Sequence, residues 1–189
     1  MKKIILGITG ASGALYAKRF IDVMADQSEL HVVCSKSSHL VFQEELDLSL
    51  GDFLKSHESV TVHKIGDYLS PLASGSNIFD AFIILPCSMK TLGQISHGVG
   101  DTLLTRIGDI CLKERRQMIM VPRESPLSVV NLENMLRISQ MGGIILPAAP
   151  GFYHKPEKIE DLIDFMIQRV CQLAGIKLKL VNSWKAEDE

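Results

Sequence analysis

Lys3-Ile4-Ile5-Leu6-Gly7-Ile8-Thr9-Gly10-Ala11-Ser12-Gly13-Ala14 is the stretch whose reading decides the fold of this 189-residue chain. An apolar run of strand length passes into a glycine turn, and residues of helical period follow from Ser12 to Asp26. Peptide N–H groups at such a helix start have no partner within the helix and carry the positive end of its dipole. A phosphate can therefore dock there without a cationic side chain. Gly10 and Gly13 remove the Cβ atoms that would hold it off. The spacing Gly7, Gly10, Gly13 is G-x-x-G-x-x-G rather than G-x-G-x-x-G, so it points to a nucleotide phosphate without saying which nucleotide. A tight strand-to-helix turn that needs glycine only for packing would read the same way.

Outward from this turn, short apolar runs bounded by Gly, Pro or Ser alternate with longer stretches of helical period. Strands are expected at 3–9, 30–34, 60–65, 81–86, 117–121 and 143–147. Helices are expected at 12–26, 37–46, 89–97, 102–115, 127–140 and 158–174. Continuous apolar strands separated by helices are those of a sheet covered on both faces. The pattern implies an α/β fold, a Rossmann-like doubly wound parallel sheet of about six strands flanked by helices in a single domain. The domain is expected to span 1–176 and a charged, mobile tail to span 177–189, with Trp184, the sole tryptophan, costly to leave in water. Residues 67–76, rich in Ser, Gly and Pro, are expected to form a surface loop.

A hydrophobic share of 46% and a formal net charge of −2 suit an ordinary folded protein with a sizeable core and give no sign of a polyanionic partner. Cys34, Cys87, Cys111 and Cys171 lack C-x-x-C spacing and sit in apolar stretches, as reduced thiols of a cytoplasmic protein would. The apolar run after Lys2-Lys3 spans only about six residues, too short for a signal or membrane segment. No H-E-x-x-H, clustered His/Cys set or Asp-rich segment occurs, so no metal is expected. Ser12 does not lie in a G-x-S-x-G elbow and is not read as a hydrolase nucleophile.

In a doubly wound sheet, ligands bind outside the carboxyl ends of the strands, where the strand order reverses. Polar loops follow the expected strands at Gly10–Gly13, Ser35-Lys36, Ser88-Met89-Lys90-Thr91, Arg123-Glu124-Ser125-Pro126 and Tyr153-His154. An NAD site usually ends its second strand in Asp or Glu, and Ser35-Lys36 stands there instead. NAD is disfavoured, a 2′-phosphate cofactor or a mononucleotide stays open, and FMN is preferred. Ser88 and Thr91 would equally serve as plain helix caps. Arg106, Lys113, Arg123 and Arg169 are candidates for a second anion, with Arg106 and Lys113 two turns apart on one helix face. Arg123 directly follows a buried strand, which places it in the ligand crevice.

Taken together, GITGASG (7–13), SGS (74–76), LPCSMKTL (85–92), LKERR (112–116), PRESPL (122–127), LENML (132–136) and LPAAPGFY (146–153) resemble one family across nearly the whole chain. It is the UbiX-type flavin prenyltransferases, formerly described as small-subunit aromatic acid decarboxylases. The resemblance implies transfer of a dimethylallyl group from dimethylallyl monophosphate to reduced FMN, without metal. The prenylated FMN would supply a UbiD-type decarboxylase, on a ubiquinone route or in aromatic acid breakdown. It places flavin binding on Gly10, Ala11, Ser12, Ser35, Ser88, Met89, Lys90, Thr91 and Arg123. The prenyl phosphate falls on Lys113, Arg123, Tyr153 and Arg169, with Arg106 nearby. Glu45, Glu124 and Trp184 match further active-site positions; a proton relay through Ser12 and Glu45, and a second through Glu124, is expected. The family also implies a homo-oligomer, a dodecamer with sites between subunits. An FMN-binding accessory subunit and a cysteine-type flavin-dependent decarboxylase remain as alternatives.

Overall fold

The computed structural model describes residues 1–182, so Trp184 lies outside the described residues. Six parallel strands form one sheet: β1 (Lys2–Ile8), β2 (Ser28–Cys34), β3 (Thr61–His63), β4 (Ala81–Cys87), β5 (Met118–Pro122) and β6 (Ile144–Ile145). Their spatial order is β3-β2-β1-β4-β5-β6, so the chain winds one way from β1 to β3, crosses back, and winds the other way from β4 to β6. The expected fold class is the observed one. All seven residues of β4 and all five of β5 are buried, as central parallel strands require.

Helices α1 (Ala14–Met24), α2 (Lys36–Leu46) and α3 (Leu50–Lys55) follow the first strands. After the crossing come α4 (Met89–Ser96), α5 (Leu103–Lys113), α6 (Val129–Gln140) and α7 (Ile159–Leu173). Two apolar clusters fill the space between helices and sheet. One joins Phe20, Phe42, Phe53 and Ile167 from α1, α2, α3 and α7 to one face of the strands. The other joins Leu92, Leu104 and Ile138 from α4, α5 and α6 to the opposite face. These buried side chains supply the main driving force for the fold.

Four expectations need correction. Helix α1 starts at Ala14 rather than Ser12, because Gly13 caps it with φ 116°, a conformation that disfavours residues with a Cβ. Helix α3 is an addition: at six residues it is too short to display a period, although Ser49 caps it. The 67–76 loop is not wholly superficial, since a 3₁₀ turn at Pro71–Ala73 buries Leu72. The tail is not free from its start, because the buried Gln168 side chain accepts from the N–H groups of Leu180 at 2.7 Å and Val181 at 2.9 Å. All four cysteines are free and buried; burial pushes the Cys34, Cys111 and Cys171 thiols up to about 12 and raises Cys87 as well. Among the described residues no helix is long and apolar enough to cross a membrane.

Candidate active site

The strand order reverses between β1 and β4, and polar residues gather outside the carboxyl ends of these two strands and of β2 and β5. A cavity of about 370 Å³ opens there between the starts of α2, α4 and α5. Ser35 caps α2 by accepting from the Ser38 N–H at 3.2 Å, and Ser88 caps α4 by accepting from the Thr91 N–H at 3.4 Å. Ser35, Ser37, Ser88, Thr91, Thr102 and Thr105 give this cavity its hydroxyls and Lys36 and Lys90 its cations, with Asp101 as its acid and Ile65 and Leu104 as apolar wall. Two helix N-termini and several hydroxyls aimed at one space make an anion site.

Thr9, 1% exposed, fixes this edge. Its hydroxyl donates to the Pro86 carbonyl at 2.7 Å and accepts from the Ser88 N–H at 2.8 Å, tying the tip of β1 to the start of α4. Gly10 lies against α2: a Cβ there would stand 2.2 Å from Ser37 Oγ, so only glycine allows this approach. Ala11 is buried beside it.

The helix start that the sequence presented as an open cradle is already engaged. Glu45, in the last turn of α2, places its carboxylate 2.9 Å from the Gly13 N–H and 2.8 Å from the Ala14 N–H. Burial alone would raise the Glu45 carboxyl. Hydrogen bonds from the Ser12 side chain and from the Gly13 and Ala14 amides, with the charge of Arg123, outweigh burial and hold it below the usual carboxylate range. Arg123 donates from Nε to the Ser12 carbonyl at 3.2 Å. Ser12, Glu45 and Arg123 thus form one cluster at the tips of β1 and β5, beside the hydroxyl-lined cavity. As a carboxylate held below its ordinary range, Glu45 is a weaker proton acceptor than a free one, and in this state it orients the Ser12 hydroxyl, which donates to it.

The remaining candidates divide by place. Met89 packs partly into the core beneath α4. Glu124 is exposed and bonds only locally, accepting from the Ser125 N–H at 3.1 Å. On α5, Arg106 donates to the Ala73 carbonyl at 3.3 Å and pairs with Asp109 at 2.6 Å. Lys113 pairs with Glu114 beside Gly75, so both cations face the 73–75 segment. Lys113 ends α5, roughly 15 Å along the helix from its start at the cavity. Tyr153 packs edge-on against Phe165 at 5.6 Å, and Arg169, one turn further along α7, is exposed and bonds to Gln172 at 2.7 Å. The ring of His154 stacks on Phe165 at 5.3 Å, and its Nε2 meets the Asp161 carbonyl at 3.3 Å. Lys113 and Arg169 ride on helices covering opposite faces of the sheet, so one chain does not bring them to a common point. Sequence reading missed Thr9, Ser37, Thr102 and Thr105, although Thr102 and Thr105 form a reciprocal helix cap that the sequence could have disclosed. No group of three or more His, Cys, Asp or Glu side chains is arranged to hold a metal ion among the described residues.

A hydroxyl-lined anion cavity at the switch point of a doubly wound sheet defines a nucleotide-binding α/β protein. The Flavoprotein family model matches residues 1–171, and the chain belongs to that family. Within it the chain belongs to the UbiX-type flavin prenyltransferases. It is 44% identical over 182 residues to the flavin prenyltransferase UbiX of Methanocaldococcus jannaschii, covering 96% of this chain and 98% of that protein. The crystal structure of AnUbiX (PadA1) in complex with FMN and dimethylallyl pyrophosphate matches with a TM-score of 0.93 at 36% identity, covering 99% of both chains. The dodecameric FMN-dependent UbiX-like decarboxylase from Escherichia coli O157:H7 matches with a TM-score of 0.92 at 35% identity, covering 97% of this chain and 100% of that one.

Proposed function

We propose that the chain is a flavin prenyltransferase that moves a dimethylallyl group from dimethylallyl monophosphate to reduced FMN. The observation that carries this reading is the cluster of Ser12, Glu45 and Arg123 beside the hydroxyl-lined cavity, since it joins a phosphate site to a guanidinium and an oriented hydroxyl. Family membership supports it, as do the FMN and dimethylallyl pyrophosphate held by AnUbiX. The flavin phosphate fits the starts of α2 and α4, among Ser35, Ser37, Ser88 and Thr91, with Lys90 at the rim. The ring system would then lie over Gly10, Ala11 and Ser12. Reduced flavin supplies the nucleophilic N5 and C6 positions that take the five-carbon group.

Breaking an allylic C–O bond leaves a delocalised cation and a phosphate, so the chain must grip the leaving oxygens. In this reading Arg123 does so from the strand tip. On the same reading the Ser12 hydroxyl, oriented by Glu45, assists release of the N5 proton, and Glu124 on the adjoining loop assists a second. Lys113, Tyr153, Arg169 and Arg106 complete the phosphate grip only if supplied by other chains, because α5 and α7 cover opposite faces. The exposed stripe of Val129, Leu132 and Leu136 on α6 offers apolar surface for that association. We read the assembly as a dodecamer of cytoplasmic chains, with 1–176 as the domain and 177–189 as its tail, and keep Trp184, outside the described residues, as a candidate active-site residue. The prenylated FMN would pass to a UbiD-type decarboxylase.

Purified protein incubated with reduced FMN and dimethylallyl monophosphate, with no other protein present, should yield a flavin heavier by one prenyl unit. Tight FMN binding with no gain in mass would assign the chain a delivery role instead.

A further inference from the structure

A cavity larger than the one at the switch point opens at the β3 edge of the sheet. It measures about 740 Å³ and lies between β3, the first turn of α2, and α3. Its inner wall is apolar, built from Leu54, Val60, Val62 and Ile65 over the buried thiol of Cys34. That volume and lining fall in the range of small-molecule sites, roughly 300–1,000 Å³ and mostly apolar with a few polar groups for orientation.

The charges at its mouth are uneven. Lys36, Lys55 and Lys64 stand there against a single acid, Glu58. Lys55 is engaged by Asp52 at 3.2 Å, and His57 by Asp22 at 3.5 Å. Lys36 and Lys64 have no acidic partner within salt-bridge distance among the described residues. Lys36 is also the first residue of α2, so its ammonium adds to the positive end of that helix dipole. Lys36 and Ile65 line the hydroxyl-lined cavity too, so the two spaces share a wall.

We propose that this second cavity binds an amphipathic organic anion, its apolar body against Leu54, Val60 and Val62 and its anionic head at Lys36 and Lys64. A dimethylallyl phosphate has too small an apolar part to fill it, and an anionic head gains by pairing with two exposed ammonium groups that no acid among the described residues engages. The site is distinct from the prenyl-transfer site and does not depend on that reading.

The test uses the assembled protein saturated with FMN, so that the flavin cavity is closed to the probe. Anilinonaphthalene sulfonate supplies the anionic probe, and phenylnaphthylamine the same rings without the sulfonate. The sulfonate should bind with one site per chain, more tightly than the neutral probe, and more weakly as salt is raised. Lys64→Glu should weaken the sulfonate about tenfold and leave the neutral probe unchanged. Val62→Trp, at a position 51% exposed on the edge strand, should fill the cavity and abolish both signals while leaving the FMN absorbance and melting temperature in place. Equal weakening of both probes by Lys64→Glu would overturn the anion assignment. Failure of the sulfonate to bind would overturn the proposal, and dissociation of the assembly by Val62→Trp would then show that a second copy of this chain covers the cavity. A protein that takes up no FMN would count against the flavin reading alone.

Discussion

Glu45 reaches across from the end of α2 to accept hydrogen bonds from Gly13, 2.9 Å away, so a carboxylate of the chain itself occupies the helix start that the glycine turn would otherwise offer to a ligand. The consequence is a division of labour at the sheet edge. The start of α1 fixes Glu45 and, through it, Ser12, while the starts of α2 and α4 remain for an external anion. Replacing Glu45 by Gln removes the charge but keeps the shape. Prenylated product should form about a hundredfold more slowly, while FMN affinity changes little, because the phosphate site does not include residue 45. Unchanged turnover would remove Glu45 from the mechanism.

The same substitution has a signature in stability. The folded Glu45 carboxyl lies below its ordinary value of 4.5, so the unfolded chain takes up the proton first as pH falls. Its contribution is complete above about that value and is lost as pH drops through the lower, folded one. Thermal melts of the native protein should therefore weaken in acid more steeply than those of Glu45→Gln over that window. Parallel curves would mean that the Gly13 and Ala14 contacts carry no net stability.

The sequence disclosed the sheet because parallel strands buried on both faces are continuous apolar runs, as in Ala81–Cys87. It also placed Arg123 at a strand tip, since a charge directly after Met118–Pro122 has nowhere else to stand. It could not disclose the Glu45 contact, which spans 31 residues and depends on how α1 packs against α2. That Ser37, Thr102 and Thr105 share a cavity with Ser88 and Thr91 was hidden for the same reason: the crossover sets the start of α5 beside α2 and α4, although the Thr102/Thr105 cap itself was legible. Short elements such as Leu50–Lys55 carry too few residues for a period to appear.

His31 and His63 form a second titrating feature, joined through Nδ1 and Nε2 at 2.9 Å across β2 and β3. His31 Nε2 meets Glu29 at 2.9 Å, Glu29 meets Lys3 at 3.0 Å, and His63 Nδ1 meets Ser70 Oγ at 3.1 Å. In the shared contact one nitrogen must donate and the other accept, so the two rings hold at most one extra proton between them. Burial, and then the charges of His31 and Lys3, push His63 below its ordinary 6.5, with Asp67 opposing them. A histidine depressed in the folded state stabilises above its unfolded value and ceases to do so as pH falls below it. The melting temperature should decline on passing from above pH 6.5 to below it, and His63→Gln should flatten that decline. An unaltered slope in the variant would show that the pair contributes nothing to the pH response.

Arg123 donates to the Ser12 carbonyl, and if it also grips the leaving phosphate as proposed, its fork-shaped guanidinium can serve both at once. Arg123→Lys keeps the charge but gives up the second donor set. The rate of prenyl transfer at saturating substrate should fall about 10²- to 10³-fold, the usual cost of one preorganised donor to a developing anion. The substitution should weaken FMN binding far less than it slows turnover. Equal losses in both would place Arg123 in uniform binding rather than in the transition state.

Lys113 and Arg169 provide the sharpest test of where the site is completed. They sit on α5 and α7, on opposite faces of the sheet, so a phosphate touched by both must lie between chains. Lys113→Ala and Arg169→Ala should each abolish most activity alone. When the two variants are unfolded and reassembled together, a site that takes Lys113 from one chain and Arg169 from another is intact whenever each chain carries the other's lesion. Random mixing makes that about one site in four, so the mixture should recover about a quarter of native turnover from two nearly inactive parents. If both residues instead served a site within one chain, every chain in the mixture would carry a broken site and no activity would return.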